Sequence, residues 1–108
     1  MKVSELQGVP LDWAVAKCEK LVNEDGLDVG FIRDGVFTPS TDWAQGGPII
    51  ERCGMDVVYR AGWVAYRPEA RGVRSSATSK GPTPLIAAMR CYCCSKLGET
   101  VEVPEELT

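Results

Sequence analysis

One stretch of the chain gathers side chains that suit phosphate. Arg67, Arg71, Arg74, Ser75, Ser76, Thr78 and Lys80 lie within residues 67–80, and Arg60 stands just upstream. Guanidinium forks and hydroxyls match phosphate oxygens in shape and charge. The stretch leads into Thr83-Pro84, which reads as a helix start, a place that favours anions. Trp63 and Tyr66, with Tyr59, offer rings on which a base can stack. The plain alternative is a solvated loop beside ordinary core aromatics. A second group is Ser40, Thr41 and Trp43, followed by Gln45-Gly46-Gly47-Pro48. Glycines permit close backbone approach, and a helix start offers amides without partners. The Gly-Lys-Ser/Thr ending of a nucleotide-binding phosphate loop is absent. Here the plain alternative is a helix cap and a close helix–sheet contact.

Other chemistries are poorly supplied. The chain has no histidine, which removes the commonest general base and the Ser-His and Cys-His pairings. Its five cysteines, Cys18, Cys53, Cys91, Cys93 and Cys94, are odd in number and read as reduced thiols. Cys91 and Cys94 can share a helix face, but a structural zinc takes about four ligands, and core-packing thiols are the simpler reading. The carboxylate pairs Glu24-Asp25 and Glu105-Glu106 read as solvated surface. No catalytic residue, metal or cofactor is therefore expected, and the chain is not expected to be an enzyme.

The elements that must position these residues follow from pattern and punctuation. The 108 residues are expected to form a single domain, 1–108. Leu11, Ala14, Val15, Cys18, Leu21 and Val22 recur at helical spacing, with Trp13 off that stripe. Leu27 to Phe31 alternates, and Asp34-Gly35 before Val36-Phe37 predicts a hairpin. Ser40 or Thr41 is expected to cap a second helix kinked at Pro48, the alternative being a loop before a short helix that starts at Pro48. Residues 55–60 and 62–67 predict an antiparallel strand pair turning at Ala61-Gly62. Residues 68–80 show no periodicity and read as a flexible basic loop. Thr83 as cap, Pro84 at the first helical position and Gly98 as stop bound a third helix. Its stripe is Leu85, Ile86, Met89, Tyr92, Cys93 and Leu97. A short strand over residues 100–103 and a tail, 104–108, complete the chain. Hairpins and amphipathic helices together predict an α+β fold, a small antiparallel sheet packed by about three helices.

Charge is uneven. Residues 1–51 hold four cations against nine acids, and residues 52–80 hold six against two, within a net charge of −3. That layout argues against broad nucleic-acid binding and leaves room for a local anion site. No apolar run approaches the roughly 20 residues of a membrane span, and no signal core opens the chain. A membrane role is not expected, and a cytoplasmic location is.

Three stretches carry a resemblance: Leu11-Asp12-Trp13-Ala14-Val15-Ala16-Lys17-Cys18, then Pro39-Ser40-Thr41-Asp42-Trp43-Ala44-Gln45-Gly46-Gly47-Pro48-Ile49-Ile50-Glu51-Arg52, and Gly81-Pro82-Thr83-Pro84-Leu85-Ile86-Ala87-Ala88-Met89-Arg90-Cys91-Tyr92. Together they resemble the NinX-like family of small proteins from lambdoid and related tailed phages and prophages. The layout is also similar to phage α-β-α sandwich domains. The resemblance implies a phage accessory protein in a bacterial cytoplasm and transfers no catalytic residue. The resulting expectation is a binder of a small phosphorylated, nucleotide-like ligand, assembled as a homo-oligomer. By analogy with phage counter-defence proteins, sequestering a host signal is one use for it. The competing expectation is an adaptor that docks on a host or phage protein through Trp13, Trp43 or the acidic end, residues 102–106.

Overall fold

The structure is a computed structural model and describes residues 1–21, 30–67 and 77–107. Four helices are present among them: α1 (Gly8–Cys18), α2 (Gly30–Arg33), α3 (Trp43–Cys53) and α4 (Pro84–Leu97). Three strands, β1 (Asp56–Tyr59), β2 (Trp63–Arg67) and β3 (Ala77–Gly81), form one antiparallel sheet in the order β1-β2-β3. The fold class is α+β, as the sequence predicts.

Helix α4 is the centre of the molecule, and its ends are set by local chemistry. The Thr83 hydroxyl accepts from the Ile86 amide at 3.1 Å, Pro84 opens the helix, and Gly98 closes it at φ 88°. Burial exceeds the expected stripe. Residues 85–89 and 91–93 are all buried, because the sheet covers one side of α4 while α1, α3 and the N-terminal turn at Val3–Glu5 cover others. A helix apolar on all sides is one enclosed on all sides.

Register explains how the sheet meets α4. Val57, Ala65 and Ser79 share a face, as do Tyr59, Trp63 and Gly81. That face lies on α4: the Ser79 hydroxyl donates to the Cys94 sulfur at 3.8 Å, and Gly81 abuts the Ala87 backbone. The opposite face carries Asp56, Val58, Val64, Tyr66, Thr78 and Lys80. Among the described residues the layers run sheet, α4, α1. Helices α1 and α3 both pack on α4, which in turn packs on the sheet.

Other expectations are corrected in detail. Strand β3 falls where a loop was predicted. Its sequence, Ala-Thr-Ser-Lys-Gly, lacks apolar alternation because one face meets small groups on α4 and Thr78 and Lys80 on the other are exposed. The predicted hairpin around Asp34-Gly35 is replaced by α2 and a turn. Val36 and Phe37 both donate to the Phe31 carbonyl, at 3.0 and 3.2 Å, and Gly35 at φ 78° closes a helical turn. Residues 27–29 of that hairpin's first arm and Val22 of the first helical pattern lie outside the described residues, while Gly30 and Phe31 belong to α2 and Leu21 lies beyond α1, exposed. Loop 68–76, with Arg71, Arg74, Ser75 and Ser76, also lies outside the described residues.

Helix α3 does run through Pro48 as one helix. Its cap is Asp42, whose carboxylate accepts from the Ala44 amide at 2.9 Å, not Ser40 or Thr41. Ser40 is buried with its own amide donating to Asp12 at 2.9 Å, and the Thr41 amide is held by the Thr38 carbonyl. Gln45 fixes the approach to α3 by accepting from Thr38 N at 2.8 Å and donating to Val36 O at 3.2 Å. The expected strand at residues 100–103 is reduced to one bridge, Lys2 with Thr100. The expected tail is docked: Glu105–Leu107 is a 3-10 turn and Leu107 is buried.

Candidate functional site

Strand β3 lies at the edge of the sheet, and two adjoining clefts run along it. The larger, of about 580 Å³, is lined by Ser4, Trp63, Thr78, Ser79, Lys80 and Arg90, and by the β1–β2 turn at Ala61-Gly62 and the end of β3 at Gly81-Pro82. The smaller, of about 340 Å³, is lined by Lys2, Ser4, Thr78, Ser79, Cys94, Glu99 and Thr100. Ser4, Thr78 and Ser79 border both, so the two form one groove. Three cationic, one acidic and four hydroxyl-bearing residues border it, Thr78 and Lys80 from the sheet face opposite α4. An edge strand also presents main-chain groups that no neighbouring strand uses.

Arg90 is the residue that builds this groove, and its role was not read from the sequence. Its Nε donates to the Leu6 carbonyl at 2.6 Å and one terminal nitrogen donates to the Lys80 carbonyl at 2.9 Å. It thus ties α4 to the N-terminal turn and to β3. Burial pulls its pKa down, against a weaker pull from Glu5, yet a guanidinium stays charged at neutral pH. The signal was a cation within the otherwise apolar run 84–94.

The sequence-chosen residues divide among three places. Trp63, Thr78 and Lys80 converge on the groove. Trp63 is half-buried, with Tyr59 edge-on to it at 5.2 Å between ring centroids. Arg67 does not join them. Alternation along β2 turns it towards α4, where its guanidinium lies 5.4 Å from the centre of the Tyr92 ring and donates to the Ser95 hydroxyl. Tyr66 is half-buried on the opposite face beside Thr78. Arg60 is exposed in the β1–β2 turn.

Ser40, Thr41, Trp43 and Thr83 come together elsewhere, with Leu85 and Ile86, around a cavity of about 210 Å³ between the starts of α3 and α4. Its chemistry differs from the expected anion site. The Ala44 amide is capped by Asp42 and the Ile86 amide by Thr83, and among the described residues no cation lines it. The buried Asp12 carboxylate behind Ser40 has its pKa raised by burial, with the Ser40 contacts pulling the other way. Trp43 is 56% exposed, whereas Trp13 is buried under Lys17, whose Nζ sits 5.3 Å from the ring centre.

A polar network joins α1, α3 and α4 away from the groove. Arg52 donates to Glu19 at 2.7 Å, and the Tyr92 hydroxyl donates to the same oxygen. Burial opposes the Glu19 carboxylate, but these two bonds outweigh it and hold its pKa below the ordinary 4.5. Burial and the Glu19 bond push Tyr92 up. A depressed carboxylate stabilises the fold fully above its unfolded pKa and loses that effect as pH falls through the folded value. Arg52 is more than half exposed, so the effect is about 1 kcal/mol or less. Glu19→Gln should lower the urea midpoint at neutral pH and converge with wild type well below pH 4.5, the ordinary value.

These features define a small α+β protein with a cation- and hydroxyl-lined groove on one sheet edge. Among the described residues, no helix is long and apolar enough to cross a membrane. The sequence model of the family described as Bacteriophage P22, NinX matches residues 2–96, and the chain belongs to that phage family. Among curated proteins, none matches the sequence.

Proposed function

We propose that the protein is a non-catalytic phage accessory protein that binds a small anionic, nucleotide-like ligand along the outer edge of β3. The observation that carries this reading is the convergence of Lys80, Arg90 and Trp63 on one cleft of about 580 Å³. The volume lies within the usual range for small-molecule sites. Lys80 and Arg90 supply positive charge, Ser4, Thr78 and Ser79 supply hydroxyls for phosphate oxygens, and Trp63 offers an aromatic surface to a base. Arg71, Arg74, Ser75 and Ser76 precede β3 in sequence and bring further charge and hydroxyls into the same segment. Sequestration of a host nucleotide signal, in the bacterial cytoplasm and by a homo-oligomer, is the use this chemistry serves.

The test is a thermal-shift panel of mono-, di- and cyclic nucleotides and ADP-ribose derivatives. A ligand at one hundred times its Kd stabilises the folded state by about 2.7 kcal/mol, which is several degrees in Tm for a protein of this size. A flat panel overturns the proposal.

A second reading rests on Trp43, whose exposure on the first turn of α3 is unusual for so large a ring. In this reading the chain is an adaptor that docks on a host or phage protein. Burial of Trp13 removes it from that role, and docking of Leu107 draws the acidic end onto the body. The adaptor reading expects one stoichiometric partner in a pull-down from infected cells, lost on Trp43→Ala and kept on Lys80→Glu.

A further inference from the structure

Strand β1 has an open edge. One side of it pairs with β2, and among the described residues no strand pairs with the other. The hydrogen bonding of the hairpin shows what that edge presents. The Arg60 amide donates to the Gly62 carbonyl at 2.8 Å across the turn. Main-chain groups alternate in direction along an antiparallel strand. Asp56 and Val58 therefore turn theirs towards β2, and Val57 and Tyr59 turn theirs outwards. Carried across β2, the same alternation points the Lys80 carbonyl away from the sheet, and there Arg90 takes it at 2.9 Å. The edge at β3 is thus partly engaged within the chain, whereas the edge at β1 is not.

The side chains along β1 also suit a partner. Val57 and Val58 are half-buried, and Asp56, Tyr59 and Arg60 are exposed, Tyr59 at 66%. Helix α4 packs chiefly on β3 and β2, which leaves the Tyr59 ring uncovered on that face. Strand β1 carries neither the lysine nor the proline that commonly protect an edge. Charges of opposite sign bracket it, Asp56 at its start and Arg60 just past its end.

We propose that β1 pairs antiparallel with β1 of a second copy of this chain, about a twofold axis at Val58. The two sheets then join edge to edge into one of six strands, three from each copy. This gives the homo-oligomer named above its interface, and rests on that part of the reading and not on the groove at β3. Residues opposite each other in such a pair must both turn their main-chain groups inwards or both outwards. Val57 opposite Tyr59 of the second copy meets that condition, each such pair exchanging both N–H···O bonds. Val58 then faces Val58 of the second copy. In the same register Asp56 lies opposite Arg60 of the second copy, and Arg60 opposite its Asp56. Opposite charges, and an aromatic ring beside a β-branched side chain, are favourable cross-strand pairs. Sliding by one residue breaks the hydrogen-bond phase, and sliding by two in either direction separates both charge pairs. Charge complementarity therefore selects a second copy and fixes the register. So short a strand pairing buries little area, and the dimer exchanges with monomer.

The test is sedimentation equilibrium of the full chain over a concentration series, alongside Asp56→Arg, Arg60→Asp and the double variant. Wild type should approach twice the chain mass as concentration rises. Each single variant sets like charges opposite each other and should raise the dimer dissociation constant at least about tenfold. The double variant exchanges the charges and should restore the wild-type constant. Wild type that stays monomeric throughout overturns the proposal, and leaves nucleotide binding to its own titration. A dimer that the single variants leave intact, or that the double variant does not restore, also overturns it, while the homo-oligomer stands through another surface.

Discussion

Gly81→Ala is expected to lower stability by about 3 kcal/mol, at the upper end of the usual cost of overpacking. The added Cβ would sit 2.6 Å from the Ala87 amide nitrogen and 3.0 Å from its Cα. Both are backbone atoms of α4, so no side-chain rotation relieves the contact, and helix and strand must separate. In a protein of this length the loss corresponds to a fall in Tm of roughly 10–20 °C. Gly47→Ala is the internal control. Beyond its chain neighbours its Cβ meets nothing nearer than the Trp43 ring at 3.9 Å, and the roughly 1 kcal/mol that alanine gains over glycine within a helix offsets the crowding of a Cβ before Pro48. Adjacent Gly46 behaves like Gly81, because its Cβ would meet the Pro39 carbonyl and lie 2.7 Å from Leu85 Cδ2. Thermal melts of the three variants should therefore rank Gly47→Ala at or above wild type, with the other two far below. Equal effects at Gly46 and Gly47 would contradict the close approach of α3 to residue 39.

Met89→Ala should be comparably severe. Met89 is fully enclosed at the middle of α4, the helix that both the sheet and α1 press upon. Truncating a buried methionine removes transfer free energy and leaves a cavity, about 2–5 kcal/mol in all. That is a large share of the 5–15 kcal/mol typical of a whole domain. Met89→Leu, which keeps volume, should cost less than about 1.5 kcal/mol. Urea unfolding of the pair separates packing from chemistry, since neither variant alters a polar contact.

Such effects concentrate on α4 because its placement combines local and non-local causes, and the two were unequally legible. Thr83, Pro84 and Gly98 announce the helix ends because capping is settled within a turn. The β1–β2 hairpin was likewise readable from alternation and from the turn at Ala61-Gly62, where Ala61 takes φ 56° and Gly62 φ 138°. Strand β3 was not readable. Ser79 and Gly81 face α4 as small groups, so the apolar period of a strand is missing, and only pairing with β2 makes residues 77–81 extended. Asp34-Gly35 misled for another reason: the same dipeptide that turns a hairpin also ends a helical turn, and the contact of Phe31 with Phe37, 5.9 Å between ring centroids, decides between them.

The candidate site was legible in part for the same reasons. Lys80, Thr78 and Trp63 were found by residue type and proximity in sequence. Arg67 was misplaced because composition ignores side-chain alternation, which turns it to Tyr92. Arg90 was passed over because nothing local shows that a helix residue will reach the Leu6 and Lys80 carbonyls. Ser40 and Trp43 were read apart from Thr83, and the structure brings the three around one cavity, where the Ala44 and Ile86 amides are taken by caps.

The groove on β3 is tested most directly by calorimetric titration of wild type and Lys80→Glu with the phosphorylated nucleoside that gives the largest thermal shift. Lys80 is exposed and its side chain lies on the face away from α4, so reversal leaves the core intact. Binding to wild type should weaken as salt is raised, and Lys80→Glu should lose at least tenfold in affinity, about 1.4 kcal/mol. Equal affinity of the two proteins, or an affinity indifferent to salt, would contradict a ligand held in this groove.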